Sequence, residues 1–228
     1  MADYKNLIPF IKKSEGGLSS AKTDTASKNP SNCGNGKDGN PYHTNKGIQW
    51  ITFKNLASKG GYVANCSGFL NMPDSIWNKV YKVGFWDSIQ GDRINNQAIA
   101  NTFVEMTWGS GLGNIDGYSG TLPFLRKFFK TNYNKDLTSM TDMVNFVNKL
   151  DDEGKTPDLF EKLNNFRATK YKDLNQPRNL KGWLNRLNQF YILNKPYAIS
   201  KQAKIGITAV TIIVIGAFIY KYYYARRN

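Results

Sequence analysis

Tyr4-Lys5-Asn6-Leu7-Ile8-Pro9-Phe10-Ile11-Lys12-Lys13-Ser14-Glu15-Gly16-Gly17 reads as one helix and its stop. Tyr4, Leu7, Ile8, Ile11 and Glu15 recur at the spacing of a single helical face, which predicts a helix over about Asp3 to Ser14. The face that buries Leu7 and Ile11 therefore also carries a carboxylate. A carboxyl group held against apolar surface loses hydration, and its protonated form is favoured. Gly16-Gly17 stops the helix and leaves room for a ligand to approach the backbone. Two readings stand at this point. One is a helix-end glutamate that snorkels to water beside a glycine cap; the other is an acid placed in a cleft.

Working outward, the rest of the chain is mainly helical. A long polar loop rich in Ser, Asn, Gly and Lys runs from Leu18 to about Asn45, with room for a small hairpin near Ser19–Gly47. Ile48 to Leu56 is short and apolar-periodic. Pro73 and Asp74 mark a helix start that runs to Tyr81. Asn95 to Trp108 is apolar on most sides, as a central buried helix would be, and Gly109-Ser110-Gly111 ends it. Amphipathic helices are expected at about Leu122–Thr131, Thr141–Leu150, Asp158–Leu174 and Asn179–Leu193.

Ile205 to Tyr220 is uncharged throughout, with Lys201 and Lys204 before it and Lys221, three tyrosines, Arg226 and Arg227 after it. At helical rise the stretch is about 24 Å long, and snorkelling lysines and interfacial tyrosines extend it towards the ~30 Å core of a bilayer. A transmembrane helix is expected over residues 203–224. No cleavable signal peptide is visible at the N-terminus.

The 228 residues carry 31 Lys and Arg against 17 Asp and Glu, a formal charge of +14. Such a charge favours an anionic partner. The basic residues are scattered, and no zinc-finger, RNP-type or basic-zipper pattern is present, so an envelope or membrane is favoured over nucleic acid. The single histidine, His43, excludes a multi-histidine zinc site; it reads as a surface loop residue. Cys33 and Cys66 allow one disulfide or two free thiols. No metal or cofactor is expected.

Several polar residues can carry chemistry. Asp24 follows Glu15 in the same loop, and two carboxylates flanking a cleft are the minimal equipment for glycoside hydrolysis; Asp38 competes for the same role. Thr44 and Asn45 stand at a loop-to-element junction, either capping it or facing Glu15 to place a water or a sugar hydroxyl. Trp86 and Asp87 pair an aromatic face with a carboxylate, as sugar sites do and as cores also do. Glu105, on so apolar a helix, needs an arginine partner (Arg93 or Arg126) or a cleft.

Taken in order, these segments resemble the N-acetylmuramidases of glycoside hydrolase family 108. Glu15-Gly16-Gly17-Leu18 is similar to the family's Glu-Gly-Gly-Tyr, and Thr44-Asn45-Lys46-Gly47-Ile48 to its Thr-Asn-x-Gly-Ile. Phe85-Trp86-Asp87 resembles its Tyr-Trp-Asp. Glu105 to Gly111 resembles its Asp-x-x-x-Asn-Ser-Gly, and Arg167 and Gly182-Trp183-Leu184-Asn185-Arg186 its late elements. Leu18 departs from the aromatic, Glu105 from the aspartate, and the loop from Glu15 to Thr44 is longer. The Glu15-to-Asp24 spacing also resembles that of phage-type lysozymes.

The resemblance implies a fold that is mainly α, lysozyme-like α or α+β with at most a small hairpin, plus the C-terminal transmembrane helix. Residues 1–120 would be the catalytic region. Residues 121–198 would be a helical region like the family's peptidoglycan-binding part, packed on the first. The implied activity is cleavage of the β-1,4 bond between N-acetylmuramic acid and N-acetylglucosamine. Glu15 would be the general acid, Asp24 or Thr44 would hold water, and Trp86, Asp87, Glu105 and Asn45 would contact substrate. Peptidoglycan and, through residues 203–224, a lipid bilayer are the expected partners, at a host cell membrane or an internal virion membrane. A lytic transglycosylase and a non-catalytic envelope-binding or virion protein are the alternatives.

Overall fold

The computed structural model describes residues 1–29, 31–36 and 39–199. The expected transmembrane segment 203–224 and Asp38 lie outside them. Among the described residues no helix is long and apolar enough to cross a membrane.

The chain divides into two compact units. One comprises Asp3–Asp92 and Asn101–Phe124 and contains Glu15. Its helices are α1 (Ile8–Ser14), α2 (Trp50–Gly60), α3 (Cys66–Leu70) and α4 (Asp74–Tyr81), with the larger part of α5 (Gln97–Ser110). α1 starts four or five residues later than its periodicity suggests. Pro9 has no N–H to give, so it fits only the first helical turn, and residues 4–7 form a turn before it. Leu7 and Ile11 are buried as expected. α5 matches its reading closely: Ala98 to Thr107 are all buried, and Gly111, at φ +71°, follows its last residue.

Three two-residue strands form an antiparallel sheet in the order β1 (Leu18–Ser19), β2 (Thr44–Asn45), β3 (Ile48–Gln49). This is one strand more than a hairpin. The extra strand comes from the residues directly after Gly16-Gly17, with Leu18 opposite Asn45 and Ser19 opposite Thr44. Lys46 and Gly47 link β2 to β3 in two residues, both with positive φ (48° and 79°), the signature of a type I′ turn. Cys33 and Cys66 form a disulfide, tying the long loop to the start of α3.

Among the described residues the second unit comprises Met1–Ala2, Arg93–Ala100 and 125–199. It contains most of α6 (Thr121–Tyr133) and all of α7 (Met140–Asp152), α8 (Thr156–Asp173) and α9 (Pro177–Asn194), each close to its expected place. Phe128, Phe129, Tyr133 and Phe146 meet edge to face or tilted, and Phe160 stacks on Tyr191. Such aromatic burial is worth about 1.5–3 kcal/mol per large side chain and holds the unit together.

Candidate active site

Glu15 caps the C-terminus of α1. Its backbone is already extended (φ −95°, ψ 137°), and its N–H donates to the Lys12 carbonyl. It therefore sits just past the helix rather than on its last turn, because the glycines that follow release the chain into β1. The side chain is half-buried. Around Gly16 and Gly17 there is open space: a Cβ added at either would meet nothing within 4 Å.

Two distant elements converge on the carboxyl group. The indole Nε1 of Trp108, near the end of α5, donates to Glu15 Oε1 at 2.8 Å. One helical face further back, Asn101 Nδ2 donates to Asn6 Oδ1 at 2.8 Å. α1 is thus tied to α5 at both ends, since residues seven apart lie on one helical face. From the other side comes the β2–β3 turn. A Cβ on Gly47 would fall 2.6 Å from the Glu15 carboxyl carbon and 2.7 Å from Cζ2 of Trp108. Only glycine leaves the carboxyl group its place.

An aromatic bed supports this grip. Trp108 packs against Phe85 (ring centroids 4.6 Å apart), Trp77 (5.4 Å) and Tyr81 (6.1 Å), and Trp77 stacks on Tyr81. The Tyr81 hydroxyl is buried with no hydrogen-bond partner among the described residues, and burial pushes its pKa up. Trp77 Nε1 donates to the Lys46 carbonyl at 3.0 Å, holding the strained turn. Lys46 Nζ in turn donates to the Met72 carbonyl (2.9 Å) and to Asp74 (3.3 Å), while Lys12 reaches Asp74 at 2.9 Å and lies over the Trp77 ring. The hydrogen bonds from Lys12 and then Lys46 hold the Asp74 carboxyl below the usual carboxylate range.

Thr44 stands three residues before Gly47, no more than roughly 10 Å away along an extended strand. Its Oγ1 lies 2.9 Å from Nδ1 of His43. The histidine is fully buried, not the surface loop residue its neighbourhood suggests. Pairing of the flanking strand with β1 pulls it inward: its N–H donates to Ser19 O and its C=O accepts from Trp50 N. Asp24 caps the 3₁₀ turn Thr25–Lys28 by accepting from Ala26 N at 2.9 Å, and its Oδ2 comes within 4.0 Å of His43 Nδ1. Asp24 and Thr44 are therefore brought to one place by the histidine. A cavity of about 210 Å³ lies beside it, lined by Ala26, Asn29, Asn32, His43, Gln49 and Ile51 but by neither Glu15 nor Trp108.

The remaining sequence candidates occupy other surroundings. Asn45 is buried and its amide donates to the carbonyls of Phe69 and Leu70 (2.6 and 3.3 Å), fastening β2 to α3. Trp86 is buried, packs against Tyr4 and donates to Asp92 at 2.7 Å. That bond, and one from Lys82, hold Asp92 below the usual carboxylate range. Asp87 is bound to Lys82. Burial of that ammonium works against its charge, but the bonds to Asp87 and Asp92 outweigh it and raise its pKa. Glu105 is buried on α5, while Arg93 reaches Asn145 (3.2 Å) and Arg126 grips Asp136 (2.7 and 3.1 Å). Among the described residues no group of three or more His, Cys, Asp or Glu could hold a metal ion.

Trp108, Gly47 and His43 are the residues that sequence reasoning did not assign to the site. A Lys-Gly pair between two short strands signals the turn; nothing local signals that Trp108 or His43 would face a carboxyl or a threonine.

An acid at a helix end, held by an indole N–H across an open glycine pair, is equipment for protonating a leaving oxygen. The comparisons agree with that chemistry. Residues 8–111 match the model of the family Glycosyl hydrolase 108, so this segment is a glycoside hydrolase domain. The fold is similar to that of SagA from Brucella abortus, with a TM-score of 0.53 and 15% identity over 87% of this chain and 97% of that one. At that identity the likeness is one of fold. Among curated proteins, none matches.

Proposed function

We propose that the chain is a peptidoglycan muramidase, cutting the β-1,4 bond between N-acetylmuramic acid and N-acetylglucosamine. The observation that carries this reading is the Glu15 carboxyl, held between the Trp108 indole and the Gly47 turn, in a segment matching a glycoside hydrolase family. Glu15 protonates the leaving glycosidic oxygen. Thr44, with Asp24 behind it, holds the water that takes the leaving group's place at the anomeric carbon. That water-holding pair favours hydrolysis over internal attack by the muramic 6-hydroxyl.

The formal charge of +14 supports adhesion to an anionic envelope. The uncharged stretch Ile205–Tyr220 between basic flanks supports a membrane anchor over residues 203–224, and with it action at a host membrane or from a virion, as a phage product for wall penetration or lysis. Residues 121–198 are assigned to wall binding.

The test is clearing of purified peptidoglycan by the full chain, read as turbidity and as the released ends by mass spectrometry. Glu15→Gln, nearly isosteric but unable to donate a carboxyl proton, is expected to lower the rate by about 10²–10⁴. Equal clearing by both proteins removes Glu15 from the mechanism. Release of 1,6-anhydro ends in place of reducing ends makes the enzyme a transglycosylase.

A further inference from the structure

We propose that His43 is a positioning residue for the Thr44 hydroxyl, accepting a hydrogen bond from it at Nδ1. The proposal rests on the muramidase reading, in which Thr44 holds the attacking water.

The two ring nitrogens face different chemistry. Nε2 lies 3.2 Å from the Ala21 carbonyl, which can only accept, so Nε2 carries the proton. In the neutral ring Nδ1 is then a bare lone pair, and the group at 2.9 Å from it is the Thr44 hydroxyl. The hydroxyl must donate into the ring. Its lone pairs are left to accept from a water, and a water that donates to Thr44 keeps its own lone pair for the anomeric carbon. Protonation of Nδ1 reverses this chain. Nδ1–H would donate to Thr44 Oγ1. The hydroxyl would then donate outward, and the water would present a proton instead of a lone pair.

The imidazole is enclosed by its neighbours. Its side chain is fully buried, and its backbone is pinned on both sides by the bonds to Ser19 O (3.0 Å) and from Trp50 N (2.8 Å). The groups that line the cavity beside it, Ala26, Asn29 and Asn32 on one side and Gln49 and Ile51 on the other, are uncharged. Among the described residues Asp24 is the titratable group shown against the ring.

The prediction is that Thr44 works only while Nδ1 of His43 accepts from it. The experiment measures kcat and KM on peptidoglycan for the full chain, for His43→Asn and for His43→Phe. Asparagine can place its oxygen where Nδ1 was and still accept from Thr44. It is expected to retain a measurable part of kcat. Phenylalanine keeps the ring volume without an acceptor; kcat is expected to fall about tenfold or more, with KM nearly unchanged. The single histidine also allows a direct reading by ¹⁵N NMR, which should show the Nε2–H tautomer at neutral pH. A kcat of His43→Phe equal to that of the wild type, a kcat of His43→Asn no higher than that of His43→Phe, or the Nδ1–H tautomer overturns the proposal and leaves the muramidase reading standing. A wild type that releases no ends from peptidoglycan overturns both.

Discussion

The carboxyl group of Glu15 takes its position from Trp108, 93 residues further along the chain, and from the missing side chain of Gly47. Each contact predicts its own loss. Trp108→Phe keeps an aromatic ring on the bed of Trp77, Tyr81 and Phe85 but removes the indole donor. A hydrogen bond to an uncharged acid is worth about 0.5–1.5 kcal/mol, so kcat should fall roughly 2- to 10-fold while the thermal midpoint changes little. Steady-state kinetics beside a thermal melt checks this, and an unchanged kcat would show the bond to be idle. Gly47→Ala faces two penalties at once. Its φ of +79° is unfavourable for an L side chain, and the new methyl would occupy the space of the carboxyl group. The strain alone is about 1–2 kcal/mol, so the protein should fold, as circular dichroism would show, yet clear peptidoglycan poorly. The local sequence made Glu15 legible, because helical spacing and a glycine stop are read within fourteen residues. It could not make Trp108 or the burial of His43 legible, because each depends on which element folds against which.

Among elements, the Lys46-Gly47 turn is the piece that registers α1, α4 and the sheet to one another. Asp74, at the start of α4, receives both Lys12 of α1 and Lys46 of the turn. Its pKa is lowered in the folded protein. A depressed carboxyl contributes stability that is present above its unfolded pKa, about 3.9, and lost as pH falls through the folded value. The thermal midpoint of the wild type should therefore exceed that of Asp74→Asn near neutral pH, with the difference shrinking as pH drops below about 4. A difference independent of pH would mean that the ion pairs are not its source. The exposure of Asp74 and the screening of its partners keep the effect small. The helices themselves were readable to within a few residues from apolar spacing and from Pro and Gly. β1 was not, since two residues carry no period of their own and become a strand only when β2 lies alongside.

At the scale of the whole molecule, the unit holding Glu15 combines short elements with a long polar loop, and the loop needs a covalent tie. The Cys33–Cys66 bond joins residues 33 apart in sequence. By loop-closure entropy such a bond contributes about 3–4 kcal/mol. Reduction, or Cys33→Ser with Cys66→Ser, should lower the thermal midpoint of the unit holding Glu15, while the all-helical unit built on α7 to α9 is untouched. Differential scanning calorimetry with and without reductant would show this, and coincident shifts of both units would contradict it. Two cysteines left this pairing open in the sequence; loop geometry closed it.

By itself the sequence determined a mainly helical chain, a strongly basic charge balance, an acid at a helix end and an order of motifs similar to those of a glycoside hydrolase family. These follow from local spacing, from charge and from the chain's own punctuation. Only the tertiary structure decided what surrounds the acid. It set an indole against one oxygen and a bare α-carbon behind the group. It buried a histidine against Thr44 and Asp24, and it put Asn45 and Trp86 into packing. Those outcomes depend on contacts between residues tens of positions apart, and no local pattern encodes which distant side chain fills the space beside another.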